Sequence, residues 1–257
     1  MSSAPVIAVV SPKGGNGKTT VSANLAAALA RRTPTIVVDL DVHFGDIEYA
    51  FRLHPLHRLD DAVRARAEHP DEGLEHLLTL HPTGVQALCA PADPVAADHL
   101  TPDEVFEVVD ELITLDRPML LDTAGGMSEF SLGALDRATE IVIVCATDVP
   151  SVQSVRKLLD TMTRLGLDPS HAHLAVNRST SKCGLSVRDV EQVIGMRAAL
   201  EVPEHVVLGA GMNQGCPVVE SDPGSSVGAV FTRFADQLLG LDALRTGRRR
   251  LLARSDS

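Results

Sequence analysis

A glycine-rich segment with two lysines lies near the start of the chain and has the composition of a phosphate-binding loop. Residues 11–20 read Ser-Pro-Lys-Gly-Gly-Asn-Gly-Lys-Thr-Thr. Its glycines allow successive backbone N–H groups to turn toward one anion, and a helix that follows adds the positive end of its dipole. In a Walker A loop, a lysine placed like Lys18 reaches the β- and γ-phosphates, and a hydroxyl placed like that of Thr19 holds Mg²⁺. The segment therefore predicts a nucleotide phosphate site.

The loop departs from the strict pattern G-x-x-x-x-G-K-[ST], because Pro12 stands where the first glycine is expected and Lys13 adds a second lysine. The result is the deviant form K-G-G-x-G-K-T-T. The chain has 23 lysines and arginines, of which only four are lysines, and two of these four lie in this loop. A compact ammonium group suits phosphate approach in a tight loop, where a planar guanidinium would be too broad.

Acidic residues follow two apolar runs farther along the chain. Asp39 and Asp41 alternate after the second run, so in a strand both side chains point to one face. Asp122 ends the run that begins at Met119 and has the form of a Walker B acid, which reaches Mg²⁺ through water. With the glycine loop, these acids predict a phosphoryl-transfer site. The alternative, in which the acids only cap turns, stays open.

Apolar runs alternate with helical stretches along the chain. Near-continuous apolar strands are typical of burial on both faces, so the pattern predicts an α/β fold: a doubly wound, mostly parallel sheet with helices on both faces and ligands at the carboxyl ends of its strands. Strands are predicted at 6–10, 35–38, 85–88, 119–121, 141–145, 173–176 and 206–208. Helices are predicted at 18–31, 58–68, 71–79, 102–115, 151–165, 186–194 and 225–246.

The length of 257 residues suits one such domain, predicted at 1–246, followed by a basic, disordered tail at 247–257. The four cysteines form no C-x-x-C pair, no signal segment precedes the first strand, and no apolar run reaches about 18 residues. We therefore expect a cytoplasmic protein. The net charge of −11 disfavours non-specific DNA binding. The arginines of the tail could contact anionic lipid, although a solvated tail is the simpler expectation.

These motifs together resemble the ParA/MinD family of ATPases, and within it the CpaE/TadZ branch that is associated with pilus assembly. The segments at 39–46, 85–91 and 148–159 resemble that branch. The segment Asn-Gln-Gly-Cys-Pro-Val at 213–218 is shared more widely, with MinD proteins as well. Asn16 stands where the family commonly has a small apolar residue. The resemblance implies an ATPase that turns over slowly and depends on dimerisation, with ATP and Mg²⁺ as cofactors.

The family pattern also implies individual roles. Catalysis is expected from Lys18, from Asp41, which would orient the attacking water, and from Lys13, which would reach the nucleotide of a partner subunit in an ATP-bound homodimer. Mg²⁺ is expected at Thr19, Asp39 and Asp122. Thr20 would contact the α-phosphate, Asn177 would recognise adenine, and Pro203 would pack beside the base. The predicted nucleotide contacts are Lys13, Gly14, Gly15, Asn16, Gly17, Lys18, Thr19, Thr20, Asn177 and Pro203.

Other interpretations remain at this point. Asn177 could merely close a turn, and the chain could be a nucleotide-bound polar scaffold with negligible hydrolysis. A MinD-like septum-positioning factor and a ParA-like DNA partition ATPase share the same predicted site. The favoured hypothesis is a switch that positions a polar or cell-surface assembly, such as Flp/Tad-type pilus machinery, and that is recruited to a pole or to the inner membrane face.

Overall fold

The computed structural model describes residues 3–241, so the predicted tail at 247–257 lies outside the described residues. In this range the strands form one sheet in the order β3-β4-β2-β5-β1-β6-β7-β8, with only the β3–β4 pair antiparallel. The predicted doubly wound, mostly parallel sheet is therefore confirmed. The strands are β1 (Val6–Val10), β2 (Thr35–Leu40), β3 (Thr79–Leu80), β4 (Val85–Leu88), β5 (Met119–Thr123), β6 (Glu140–Ala146), β7 (Ala172–Asn177) and β8 (Ala198–Val202).

The α-helices of the described residues alternate with the strands, and 3₁₀ turns occur at Leu74–Leu77 and Pro169–His171. Thr101 caps α5 in a reciprocal capping box with Glu104, as the cap, proline and acid of that segment predict. The helices are α1 (Lys18–Ala30), α2 (Ile47–Ala50), α3 (Leu59–Glu68), α4 (Pro94–Ala97), α5 (Pro102–Ile113), α6 (Glu129–Arg137), α7 (Val149–Arg164), α8 (Val187–Ile194), α9 (Val206–Gln214), α10 (Val218–Ser221) and α11 (Ser226–Leu238).

The sheet separates two hydrophobic cores, one on each face. Side chains of α3, α5, α6, α7 and α8 pack in one core, and those of α1, α2, α9, α10 and α11 pack in the other. Along β1, Val6, Ala8 and Val10 enter the first core while Ile7 and Val9 enter the second. Burial on both faces explains the continuous apolar runs of the central strands.

Three predicted elements were wrong. Residues 206–208 form the first turn of α9, and the last described strand is β8. A three-residue apolar run fits the start of a helix as well as a strand. The His205 ring caps this helix by accepting a hydrogen bond from the Val207 N–H. Residues 71–79 hold only a 3₁₀ turn before β3, because Thr79 and Leu80 pair with β4. The helix predicted at 225–246 is interrupted after Leu238, because Gly240 adopts a left-handed conformation with φ +67°, and residues 242–246 lie outside the described residues.

The strand registers bring the predicted acids and the glycine loop to one edge of the sheet. Asp39 of β2 is the direct neighbour of Asp122 of β5, and Asp122 is in turn the neighbour of Val9 of β1. The glycine loop begins at Ser11, directly after Val10, the last residue of β1. The carboxyl ends of these parallel strands therefore form the floor of the candidate site.

Candidate nucleotide-binding site

The loop at residues 11–17 connects β1 to α1 and depends on glycine backbone conformations. Gly15 has φ +78° and Gly17 has φ +88°, both in the left-handed region that side chains disfavour. Gly17 is the N-cap of α1, and no side chain caps this end of the helix. The first N–H groups of α1 are thus left for an anion, as the sequence predicts for a phosphate loop.

The segment after β5 packs directly against this loop. The Gly126 N–H donates a hydrogen bond to the Ser11 carbonyl oxygen at 3.0 Å. A Cβ atom added to Gly125 would lie 2.6 Å from the backbone nitrogen of Gly14, which is closer than real Cβ contacts. A glycine at position 125 is therefore required for the two loops to touch, and sequence analysis did not assign it a role.

The two lysines of the loop lie in different environments. Lys18 is the first residue of α1, is only 7% exposed, and its positive charge acts on Asp122. Lys13 is exposed and acts electrostatically on Asp148, the N-cap of α7. Burial acts to raise the pKa of Asp148, but hydrogen bonds from Ser151 and the charge of Lys13 outweigh it, so the pKa lies below its usual value. Lys18 is therefore built into the site, whereas Lys13 is presented at the surface.

The predicted metal-binding acids are brought together, and we call Asp39, Asp41 and Asp122 the acidic side of the site. Asp39 accepts hydrogen bonds from the backbone N–H groups of Asp41, at 3.2 Å, and Ile47, at 3.0 Å. The Ser22 hydroxyl donates to Asp122 Oδ1 at 2.6 Å. Asp122 Oδ2 is buried and has no hydrogen-bond partner.

Burial of these carboxylates disfavours their charged forms. Burial and the charge of Asp122 raise the pKa of Asp39 well above its usual range. Burial raises the pKa of Asp122 to about 6, against the opposing effects of Ser22, Thr19 and Lys18. Two fully buried, adjacent carboxylates with one oxygen that has no hydrogen-bond partner form an arrangement that a bound cation would stabilise. The donor set of Asp39, Asp122 and the half-buried Thr19 hydroxyl therefore fits a hard cation such as Mg²⁺.

Asp41 is half-buried just beyond β2, and the loop that follows it encloses Asp39. A Cβ atom added to Gly45 would lie 2.6 Å from Asp39 Cγ, so this loop can close over the carboxylate only with glycine at position 45. Burial and the charge of Asp41 raise the pKa of Asp46, which confirms that several carboxylates share this corner.

The opposite side of the site is built from neutral groups, and we call Asn16, Ser151 and Asn177 the amide side. Asn177 Nδ2 donates to the Asn16 carbonyl oxygen at 2.8 Å, and its Oδ1 accepts from the Arg178 N–H at 2.9 Å. A Cβ atom on Gly17 would overlap Asn177 Nδ2. Asn177 therefore packs against the glycine loop itself, and its predicted contact with adenine stays a prediction.

The buried side chain of Asn16 bonds within the chain. Its Nδ2 donates to Ser11 Oγ at 2.8 Å, and its Oδ1 accepts from Ser151 Oγ at 3.1 Å. What Asn16 can offer a phosphate is thus its backbone N–H. Pro203 is half-buried directly after β8, next to Val202, which is the register neighbour of Asn177. Thr20 is half-buried in the first turn of α1.

Ser22 and Ser151 were missed by sequence analysis. Ser22 lies four residues after Lys18 on α1, so helical spacing could have placed it one turn below the lysine and facing the sheet. Ser151 contacts a loop 135 residues earlier in the chain, and no local pattern reports such a contact.

Neither a histidine metal centre nor a membrane span is found in residues 3–241. No three His, Cys, Asp or Glu side chains of this part of the chain form a group that could hold a metal ion. Mg²⁺ bound to Asp39, Asp122 and Thr19 would accordingly need phosphate or water oxygens to complete its coordination. Among the described helices, none has the length and apolar character needed to cross a membrane.

The fold and the site define a P-loop nucleotide-binding protein of the α/β class. Residues 7–206 match the family described as the CobQ/CobB/MinD/ParA nucleotide binding domain, and the chain belongs to this family. The predicted ParA/MinD membership is thereby confirmed at the level of the family.

Relatives and solved structures agree with this assignment. The chain is 29% identical to an uncharacterized ATP-binding protein of Methanocaldococcus jannaschii over 91% of this chain and 87% of that protein. It is 28% identical to the septum site-determining protein MinD of Escherichia coli K12 over 92% of each chain. The fold is also that of Pyrococcus horikoshii MinD complexed with Mg-ADP, with a TM-score of 0.82 at 23% identity over 94% of this chain and 98% of that one.

The family model confirms a nucleotide-binding domain, and the buried acids and the glycine loop of this chain fit a nucleotide that is bound together with a hard cation. The ParA family ATPase of Chlorobium tepidum shares the fold as well, with a TM-score of 0.83 at 19% identity over 91% of this chain and 98% of that one. The comparisons support membership of the family as a whole and do not distinguish the CpaE/TadZ branch within it.

Proposed function

We propose that the protein is an ATP-hydrolysing molecular switch that closes into a dimer when ATP binds and opens after hydrolysis. The observation that carries this proposal is the buried pair of Asp39 and Asp122 beside the glycine loop, with Asp122 Oδ2 lacking a partner. A chain that only bound nucleotide for structure would have less need of these acids and of Asp41. We further propose that residues 1–246 form one ATPase domain.

The proposed chemistry is positioning and charge neutralisation. The backbone N–H groups of the glycine loop, with Lys18 and Thr20, would hold the phosphates. Thr19, Asp39 and Asp122 would hold Mg²⁺, which when bound offsets the negative charge of the phosphate oxygens. Asp41 would orient the attacking water, while Asn177 and Pro203 would border the base.

Lys13 is the proposed link between dimerisation and hydrolysis. It is exposed next to Asp148 at the rim of the site, whereas Lys18 is already buried within it. A second positive charge delivered by the partner subunit would neutralise charge that develops during phosphoryl transfer. Turnover would then be slow and would require two subunits.

The first experiment measures oligomeric mass by light-scattering chromatography with ADP and then with ATP and Mg²⁺. A dimer that forms only with ATP, and that lasts longer in Asp41→Ala, supports the switch. The same mass with either nucleotide in both proteins contradicts it and favours a scaffold. In parallel, Lys13→Ala should retain ATP binding and lose phosphate release, and normal turnover in this variant would refute the role of Lys13.

For the cellular role, we propose that the switch positions a cell-surface or polar assembly. Relatives of this chain include MinD proteins, and the solved MinC:MinD complex of Aquifex aeolicus shares the fold at a TM-score of 0.78. The narrower hypothesis, Flp/Tad-type pilus machinery, is supported only by the sequence segments at 39–46, 85–91 and 148–159. Deletion of the gene separates these roles: loss of pili supports the pilus hypothesis, and misplaced septa support a MinD-like role.

Two possible contacts outside the ATPase site, with lipid and with DNA, can be tested separately. Arginines at 245–254 would give weak contact with anionic lipid, which sedimentation with anionic vesicles can compare between the full chain and a chain ending at 246. Non-specific DNA binding is disfavoured by the net charge of −11, and a gel shift at low and high salt tests it. A salt-sensitive shift that requires ATP would instead support DNA partition.

A further inference from the structure

A single hydroxyl group connects the glycine loop to the helix that follows β6. Ser151 lies in the first turn of α7, is 2% exposed, and its Oγ lies 3.1 Å from Asn16 Oδ1 and 2.7 Å from Asp148 Oδ2. The Ser151 backbone N–H also donates to Asp148 Oδ1 at 2.8 Å. Ser151 is therefore fixed to the start of α7 and reaches from there to the loop.

Asn16 receives this contact at the most adaptable point of the loop. It stands between Gly15 and Gly17, both with positive φ, and glycine loses more conformational freedom on ordering than any other residue. Its buried side chain bonds to Ser11 at the start of the loop and to Ser151 on α7, while its carbonyl oxygen bonds to Asn177. The three bonds hold Asn16 from three separate elements.

The link exists in either orientation of the Asn16 amide group. In one, Ser151 donates to Asn16 Oδ1. In the other, the amide NH₂ donates to Ser151 Oγ, so the Ser151 proton is free for Asp148, and the Ser11 hydroxyl donates to Asn16 Oδ1. The second arrangement gives each of these groups a matched partner.

We propose that Ser151 is a positioning residue for phosphate binding, which holds Asn16 so that the glycine loop is shaped before the nucleotide arrives. This inference rests on the proposed nucleotide-binding function and adds a residue to it. Ser151 touches no phosphate itself; it acts through the backbone of Asn16. Preorganising the loop lowers the entropy lost on binding, and preorganisation of this kind raises affinity without any new contact to the ligand.

The test is equilibrium binding of a fluorescent ADP analogue with Mg²⁺ to the full chain, since ADP avoids hydrolysis and dimer formation. Ser151→Ala should weaken binding by about 3- to 10-fold, the range expected for one lost hydrogen bond. The matched control is Ser154→Ala on the same helix, whose hydroxyl donates only to the Pro150 carbonyl oxygen. This control should bind as tightly as wild type.

A double-mutant cycle separates positioning from a general structural effect. Asn16→Ala removes the side chain that Ser151 contacts, so Asn16→Ala combined with Ser151→Ala should bind no more weakly than Asn16→Ala alone. A structural effect would instead lower the melting temperature without nucleotide and would weaken binding equally with or without Asn16.

Each outcome decides the inference. Wild-type affinity in Ser151→Ala, or losses that multiply in the double variant, would overturn it and leave the proposed function intact. Failure of wild type to bind ADP would instead remove the proposed function, and this inference with it.

Discussion

The acidic side and the amide side meet at one glycine loop but are stabilised in opposite ways. On the amide side, Asn16 and Asn177 are nearly fully buried and their polar atoms have partners within the chain. On the acidic side, Asp39 and Asp122 are just as buried, yet one Asp122 oxygen has no partner and both pKa values are raised. The polar atoms of the amide side are thus satisfied within the chain, whereas the acidic side has a buried oxygen that a cation would satisfy.

This difference separates two tasks within one site. Neutral hydrogen bonds, each contributing about 1 kcal/mol net, fix the shape of the loop whether or not nucleotide is present. Buried carboxylates destabilise the empty site and so favour the state in which a cation is bound. Substitutions on the acidic side should therefore change chemistry and Mg²⁺ dependence, and those on the amide side should change affinity alone.

The largest effect is expected from Asp122→Asn. The amide keeps the size of the side chain and can still accept from Ser22, but it removes the charge that would support Mg²⁺. We expect phosphate release to fall by about 10- to 100-fold, as when groups that support a metal are lost. The measurement is steady-state ATPase activity over a Mg²⁺ titration, with Asp160→Asn on the exposed face of α7 as the control. Equal loss in both variants would contradict a specific role.

The second prediction concerns stability without nucleotide. The pKa of Asp122 is raised from 3.8 to about 6 by burial, so the folded state binds this proton more tightly than the unfolded chain. The free energy of unfolding therefore decreases as pH rises from about 4 to about 6. The raised pKa of Asp39 acts in the same direction.

Urea unfolding of wild type and Asp122→Asn in EDTA isolates this effect from other titrating groups. The variant should exceed wild type in stability at pH 7.5, and the difference should shrink at pH 5. A difference that does not change with pH would mean that the acidic side carries no electrostatic penalty. With Mg-ADP bound, the wild-type penalty should disappear, which separates a cation requirement from simple burial.

A smaller effect is expected at Gly125, where the segment after β5 touches the glycine loop. A Cβ atom at this position would lie 2.6 Å from the Gly14 nitrogen, so Gly125→Ala must displace the glycine loop. We expect nucleotide affinity to fall about 10-fold while the fold remains. Gly73→Ala is a suitable control, because a Cβ atom there meets nothing within 4 Å and its φ of −69° suits any residue. Unchanged affinity in Gly125→Ala would show that the loop tolerates the shift.

The two sides also differed in how far the sequence revealed them. Asp39 and Asp122 lie near the carboxyl ends of β2 and β5, and Asp41 and the glycine loop follow β2 and β1. A local pattern therefore places these residues together once the sheet is known to be parallel. The same pattern predicted the sheet but missed β8 and also β3, whose two residues are identified as a strand only by pairing with β4. The strand at 206–208 was wrongly predicted for a related reason, because a run of three apolar residues is too short to show the periodicity of either a helix or a strand.

The contacts of the amide side could not be predicted, because they join distant parts of the chain. Ser151 and Asn177 lie 135 and 161 residues from Asn16, and which hydroxyl meets which amide depends on how α7 and β7 pack beside β1. Gly125 is a similar case, since its need for a missing side chain arises only from close approach to Gly14.

The smallest effect is expected from Asn177→Ala, and it tests whether the amide side shapes the loop or reads the base. Asn177 is predicted to read adenine, yet both its Nδ2 and its Oδ1 bond within the chain, to Asn16 and to Arg178. If shaping the loop dominates, ATP and GTP should both bind about 5-fold more weakly, because one hydrogen bond to the loop is lost whichever base is present.

Competition of ATP and GTP against a fluorescent ADP analogue measures both affinities in one assay, and Asn213→Ala, at an exposed position of α9, serves as the control. A loss confined to ATP would assign Asn177 to the base, through the second hydrogen of its amide nitrogen and the second lone pair of its oxygen. Equal losses for the two nucleotides would mean that the amide side fixes the loop and leaves discrimination between bases to other groups, such as the backbone around Pro203.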